Sequence, residues 1–258
     1  MDDLLRVQFI EQAITAHPEE AIAVWVRSID GTEQLKPIES LIKNGGEDLA
    51  ISTSDIAEAV GDGELLALVH SHTNGQPEAS MVDKLSCERM GVPWHILCLP
   101  QQTWEVYSPS GYIPPLDGRD WSYPVMDCYA LIRDAYRQLG IILKDYPRDP
   151  LYYKNEAGKQ RYCWHQAGWR KFEEYFEDAG FVEVNDPRPY DLLIMQMRCV
   201  NRNHAGLLLR GGEVLHHVLG QKSRKQLWDG DLRQSTTLIL RHSLLSETVA
   251  LTRDLQLY

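Results

Sequence analysis

The chain has 258 residues, with 26 Lys+Arg against 37 Asp+Glu and a formal net charge of −11 with His neutral. Hydrophobic residues at 43% and charged residues at 24% are globular proportions, which excludes wholesale disorder and fibrous repeats. The acidic balance excludes a general phosphate-gripping surface for nucleic acid, and adhesion to anionic membranes by charge alone.

In chain order, residues 4–16 predict an amphipathic helix with Leu5, Phe9, Ala13 and Ile14 as its apolar stripe. His17-Pro18 ends it, because proline disfavours helix in the residue before it. Residues 21–26 are all apolar and read as a buried strand, far short of the roughly 20 residues of a membrane span. The acidic start Met1-Asp2-Asp3 is unlike a secretory signal, so with no targeting or membrane-spanning segment expected the product is expected to start in the cytosol. A short helix over 54–60, an apolar strand over 65–70, a helix over 80–90, and strands over 94–99 and 104–107 follow. Helices interleaved with strands predict an α/β domain over residues 1–107. Ser108-Pro109-Ser110-Gly111 and Pro114-Pro115-Leu116-Asp117-Gly118 predict a Pro/Gly-rich linker over 108–120.

Beyond it, residues 128–139 predict a helix, with Asp127 as N-cap and Gly140 past its end. Residues 146–163 read as irregular. Trp169, Phe172, Phe176 and Ala179 then fall at helical spacing before Gly180. Residues 192–197 predict a strand, and 205–209 and 214–218 a hairpin around Gly211-Gly212. Helices followed by strands predict an α+β domain over 121–258. The cysteines Cys87, Cys98, Cys128, Cys163 and Cys199 are odd in number and hold no Cys-x-x-Cys. That indicates neither a disulfide framework nor a thiolate zinc site, and most are expected to be buried.

Two constellations carry chemistry. His70 and His72 close an apolar strand and, two apart, share one face. Ser80 opens the next predicted helix, with Asp83 three residues on. Two imidazoles and a carboxylate suit Zn²⁺ with the fourth position left for water. His70-Ser71-His72, seven intervening residues, then Ser80-x-x-Asp83 resembles the JAMM motif of MPN-type metallopeptidases. The resemblance implies an MPN fold, a zinc site of His70, His72 and Asp83, and an upstream Glu that activates water. By position before Ala21 that Glu is Glu20, with Glu19 the neighbouring competitor; Ser80 would stabilise the oxyanion. Thr73 departs from the proline many members carry there.

Cys128 stands at a predicted helix N-terminus, where free N–H groups and the helix dipole favour a thiolate. Its base would be a histidine of the hairpin: His204 opens the first strand, and His216 or His217 closes the second. Strand pattern alone cannot choose between these two, since a one-residue register change exchanges them. Asp127-Cys128-Tyr129-Ala130-Leu131, Pro189-Tyr190-Asp191-Leu192-Leu193 and His204-Ala205-Gly206-Leu207 resemble the NlpC/P60 cysteine peptidases. That resemblance implies a papain-like fold with Cys128 as nucleophile and His204 as base. It implies His216, twelve residues after His204, as the residue orienting the base. Tyr129-Ala130 and Tyr190 depart from the family's Ser-Gly and Gly.

The two motifs in this order resemble the tail assembly proteins of lambda-like phages. That implies a tail-tip component made in the host cytosol, with other tail proteins as partners and peptidoglycan stem-peptide amides as substrate. It leaves an unidentified peptide or isopeptide bond to the zinc domain. A mainly structural tail-tip protein and a cellular wall hydrolase are the competing readings. Of the remaining features, Lys222-Ser223-Arg224-Lys225 reads as a solvated loop and Trp164-His165 as an aromatic segment packed into the core. His95 reads as a hydrogen-bonded core or edge histidine.

Overall fold

The computed structural model describes residues 1–40, 51, 53–123, 125–146, 152–246 and 253–258. The chain forms two compact units, Met1–Ile113 and Pro114–Tyr258.

In the first unit, α1 (Asp3–Ala16) starts at Asp2, whose carboxylate accepts the Leu5 N–H at 2.9 Å. It buries Leu5, Phe9 and Ala13, whereas Ile14, expected in the same stripe, is 56% exposed. Then come β1 (Ile22–Arg27), β2 (Glu33–Ile38), α2 (Thr53–Val60), β3 (Glu64–His72), α3 (Met81–Met90), β4 (Trp94–Cys98) and β5 (Thr103–Tyr107). Their sheet has the order β2-β1-β3-β4-β5. Only β3 and β4 are parallel, because α3 makes the crossover between them. Phe9 and Ala13 of α1 pack on Ala23, Val69 and Leu97. The opposite face, with Val24, Val26 and Leu68, packs on Cys87 of α3 and on Ile56 of α2. The strand β2 escapes a sequence reading: it is an edge strand with a proline and mostly half-exposed side chains, so it has neither an apolar run nor clean alternation.

The second unit begins with a buried connection. Leu116 is fully buried, and Arg119 places Nη1 2.7 Å from Asp134 Oδ2 while Nε and Nη2 donate to the carbonyls of Pro115 and Pro114. Asp134 belongs to α4 (Cys128–Gln138). Next are a short hairpin, β6 (Tyr152–Lys154) and β7 (Gln160–Tyr162), a 3₁₀ turn at Cys163–His165, and α5 (Lys171–Asp178). The strands β8 (Phe181–Glu183), β9 (Leu192–Met195), β10 (His204–Leu208), β11 (Glu213–His216) and β12 (Arg224–Leu227) follow, then α6 (Gly230–Ser235) and β13 (Thr236–His242). The six strands from β8 on form a fully antiparallel sheet in the order β12-β11-β10-β9-β13-β8. Leu131, Ile132, Ala135 and Tyr136 of α4 pack against Leu192, Ile194, Ala205, Leu207 and Leu215 of that sheet. Each such aliphatic contributes roughly 1.5–3 kcal/mol by leaving water.

The structure departs from the sequence pattern at several places. Part of the supposedly irregular segment 146–163 is the β6–β7 hairpin, turned at Asn155, whose carboxamide oxygen accepts the Lys159 N–H; residues 147–151 lie outside the described residues. Trp169 precedes α5 instead of belonging to it, Phe176 is buried, and the side chain of Phe172 lies outside the description. The basic run at 222–225 is half strand: Arg224 opens β12, and buried Ser223 exchanges hydrogen bonds with the Arg119 backbone. His95 is a core histidine packed edge-on against Trp25, yet its Nδ1 has no hydrogen-bond partner.

Candidate functional site

In the first unit, β3 delivers His70 and His72, and α3 delivers Asp83. Ser80 is the N-cap of α3: its Oγ accepts the Asp83 N–H at 3.1 Å, while the Asp83 carboxylate accepts the Ser80 N–H at 2.8 Å. This reciprocal capping box points Asp83 back at the strand end. His70 Nε2 lies 3.0 Å from His72 Nε2 and 3.3 Å from Asp83 Oδ1, and His72 Nε2 lies 3.2 Å from Asp83 Oδ2. All three side chains are buried. The three ligand atoms fall within 4.8 Å of one another, so this triad could hold a metal ion.

His72 Nδ1 lies 2.7 Å from the Gln76 carbonyl oxygen, which can only accept, so Nδ1 carries the proton and Nε2 turns a lone pair into the cluster. In the neutral ring that lone pair faces the Asp83 carboxylate at 3.2 Å, an arrangement that a cation or a second proton on His72 relieves. Burial pushes the His72 imidazole down. The Asp83 hydrogen bond, the Gln76 carbonyl and the charges of Asp83 and Glu20 overcome it and raise the pKa to about 9. Burial pushes Asp83 up, but the His70 charge and the bonds from both histidines and Ser80 hold it well below the usual carboxylate range.

Glu20 is half-buried, and its charge is felt at His72. Ser71 brings it there. Lying between the two histidines, it accepts the Ala21 N–H on Oγ at 2.9 Å and donates its own N–H to the Ala21 carbonyl at 3.0 Å. Ser71 and the Gln76 carbonyl are the residues that sequence reasoning missed. The alternation of the strand was the available signal for Ser71; a backbone carbonyl leaves none.

In the second unit, Asp127 caps α4 by accepting the Ala130 N–H at 2.7 Å, which places Cys128 in the first turn. His204 Nε2 lies 3.1 Å from His216 Nδ1. Gly206 stands directly opposite His216 in the β10–β11 pair, so His204, Gly206 and His216 share one face of the sheet. His217 therefore turns to the other face, where its ring meets Trp121 edge-on. Burial, with the neighbouring His216 and His217, pushes His204 down to about 3; burial and the charge of Arg224 push His216 down to about 4.

Cys128, His204 and His216 line one cavity of about 910 Å³, whose aromatic walls include Tyr162, Trp164 and Trp169. Trp164-His165 thus lines this cavity instead of packing into the core, and the Trp164 ring stacks on Tyr162 at 4.5 Å. No disulfide joins any of the five cysteines, and Cys87, Cys98 and Cys128 are buried.

Tyr190 and Asp191 lead into β9 of the same sheet. Tyr190 takes φ +72°, a conformation that favours glycine, and is held there by its hydroxyl donating to the Arg253 carbonyl at 2.7 Å. Buried Asp191 accepts two bonds from Arg241, at 2.8 and 2.7 Å.

Residues 4–108 match the prokaryotic homologs of the JAB domain, and residues 110–241 match the NlpC/P60 family. The chain is 31% identical over 233 residues to the tail tip assembly protein K of Escherichia phage N15, across 89% of this chain and 90% of that protein. It is 29% identical over 194 residues to the tail tip assembly protein K of Escherichia phage lambda, across 74% of this chain and 89% of that one. A solved JAB1/MPN domain protein from Archaeoglobus fulgidus is similar over 41% of this chain and 84% of its own, at 24% identity and a TM-score of 0.30. Among the described residues no helix is long and apolar enough to cross a membrane. With an N-terminal JAB/MPN domain followed by an NlpC/P60 domain, and with relatives alike along almost their full length, the chain belongs to the tail tip assembly protein K family.

Proposed function

We propose that this protein is a phage tail-tip component with two hydrolytic centres, a cysteine peptidase in the second unit and a zinc-dependent peptidase in the first. The tail-tip role, with other tail proteins as partners and synthesis in the host cytoplasm, rests on the two K proteins. The observation that carries the enzymatic reading is the 3.1 Å contact between His204 and His216 inside the cavity they share with Cys128.

In the cysteine centre, Cys128 attacks the carbonyl carbon of an amide. His204 accepts the thiol proton and passes it to the leaving amine. Water, deprotonated by the same imidazole, then cleaves the thioester to a carboxylic acid and restores the thiol. With Nε2 of His204 bonded to His216, Nδ1 is the nitrogen left for the thiol. His204, pushed down by burial, is neutral before substrate arrives and so works as a base at the moment of attack. The substrate we infer is a stem-peptide amide of peptidoglycan, a branched peptide for which a wide, aromatic-walled cavity is suited.

In the other centre, His70, His72 and Asp83 would hold zinc, whose preference for two nitrogens, one oxygen and an open fourth position their donor set matches. Bound zinc supplies a water acidified toward neutrality and polarises a carbonyl. Glu20 would take the proton of that water. Ser80 is exposed, and its Oγ uses a lone pair on the Asp83 N–H, leaving its hydroxyl proton to donate to an oxyanion.

The test is release of peptides from purified peptidoglycan. Cys128→Ala is expected to lower it by about 10³-fold or more with the circular dichroism spectrum unchanged. Release at the parent rate in that variant would move the chemistry elsewhere.

A further inference from the structure

We propose that Arg224, together with Arg198, selects substrates that carry a carboxylate beside the scissile amide. The proposal deepens, and rests on, the cysteine-peptidase reading of the same cavity.

Arg224 stands directly opposite His216 in the β11–β12 pair. Their Cα atoms are therefore about 5 Å apart and their side chains rise from one face of the sheet. Both arginines line the cavity that holds Cys128, and both are exposed to it. Among the described residues neither makes an ion pair or a side-chain hydrogen bond. Elsewhere in their unit Arg119, Arg133, Arg202 and Arg241 each rest on a carboxylate. Arg198 also takes φ +50°, a conformation uncommon for a residue with a side chain and concentrated at functional sites.

The cavity's own acids leave the pair unopposed. Asp127 is engaged as the cap of α4, and Asp231, on α6, makes no ion pair with either arginine. Lys171, a third cation on the wall, lies over the Tyr175 ring and 3.7 Å from Glu174. In a chain of net charge −11, two guanidinium groups without an ion pair stand in the wall of the cavity that holds the nucleophile. A guanidinium binds a carboxylate through two parallel bonds, a match that an amide of the same shape cannot make. The anion that accompanies a peptide substrate is a carboxylate.

The experiment compares two stem peptides identical except that the carboxylate next to the scissile bond is free in one and amidated in the other. The protein is expected to favour the free acid by about tenfold in kcat/KM, the size of one charge-assisted bond at a part-exposed site. Arg224→Gln should bring the ratio of acid to amide close to one, and Arg224→Lys should retain part of it. Calorimetric binding of both peptides to the Cys128→Ala variant reads the same preference without turnover. Equal binding of acid and amide, no binding of either, or a ratio left unchanged by Arg224→Gln and by the Arg198→Gln/Arg224→Gln double variant, overturns the proposal. Parent-level cleavage by Cys128→Ala would instead sink the cysteine-peptidase reading, so the two failures are distinguishable.

Discussion

Gly206 leaves no room for a methyl group. A Cβ there would lie 2.5 Å from Val214 Cγ1, 3.1 Å from Met195 Cε and 3.2 Å from His216 Cβ. The bare backbone lets β10 and β11 approach with His216 turned toward His204. Gly206→Ala is expected to cost about 1–3 kcal/mol by overpacking. It should also lower kcat/KM beyond what that loss of stability accounts for, because the methyl group presses on a side chain of the site. Urea unfolding beside peptide release checks both parts. At this scale the sequence displayed residue types well, and His70, His72 and Asp83 meet as their spacing suggested. It could not separate His216 from His217, since that choice depends on which residue of β11 faces Gly206. Nor could it reveal the Gln76 carbonyl, whose partnership with His72 is made by the main chain alone.

Elements explain why the three side chains that could hold a metal would stay together only under constraint. His70 and His72 come from β3 and Asp83 from α3, and the capping box at Ser80 fixes the angle between helix start and strand end. A divalent ion would therefore tie strand to helix, and its binding energy would add to the stability of the fold. We expect about one zinc per chain after purification without chelator, and near none in Asp83→Ala. Removing the metal should lower the melting temperature of the first unit by several degrees and leave the second unit unchanged. Metal analysis and calorimetry with and without chelator decide it. An equal melting curve with metal bound and removed would deny the tie. Elements with strong internal signals were legible: α1, α3 and α4 have caps, and β1, β3, β4 and β10 are apolar runs. The polar edge strands β2 and β12 and the three-residue β6, β7 and β8 were not. Main-chain pairing forms them, and their side chains repeat no pattern long enough to read. The strand β13 is longer but carries a register shift between Thr236 and Leu238, which breaks its alternation.

For the whole molecule, charge and burial set the response to acid. His204, His216 and His217 are pushed down by burial to about 3, 4 and 4, against 6.5 for an exposed imidazole. Below 6.5 the unfolded chain takes up protons that the folded second unit refuses. The stability these groups allow is therefore complete above pH 6.5 and falls as the pH drops toward 4 and then 3. Urea midpoints of the second unit should decline over that window, and replacing His217 by Gln should flatten the decline; a midpoint constant from pH 7 to 4 would contradict it. The two-part organisation was legible as a whole, because each half carries its own motif and its own alternation of helices and strands. How the halves begin and end was less so, and the reason is Arg119. Held against Asp134 and the carbonyls of Pro114 and Pro115, it makes a proline-rich stretch an inner strut of the second half. A phage lineage that traded this half for another by recombination would have to carry the strut along. A crossover after Arg119 would strand a carboxylate inside its recipient, whereas one ahead of Pro114 would move an intact module.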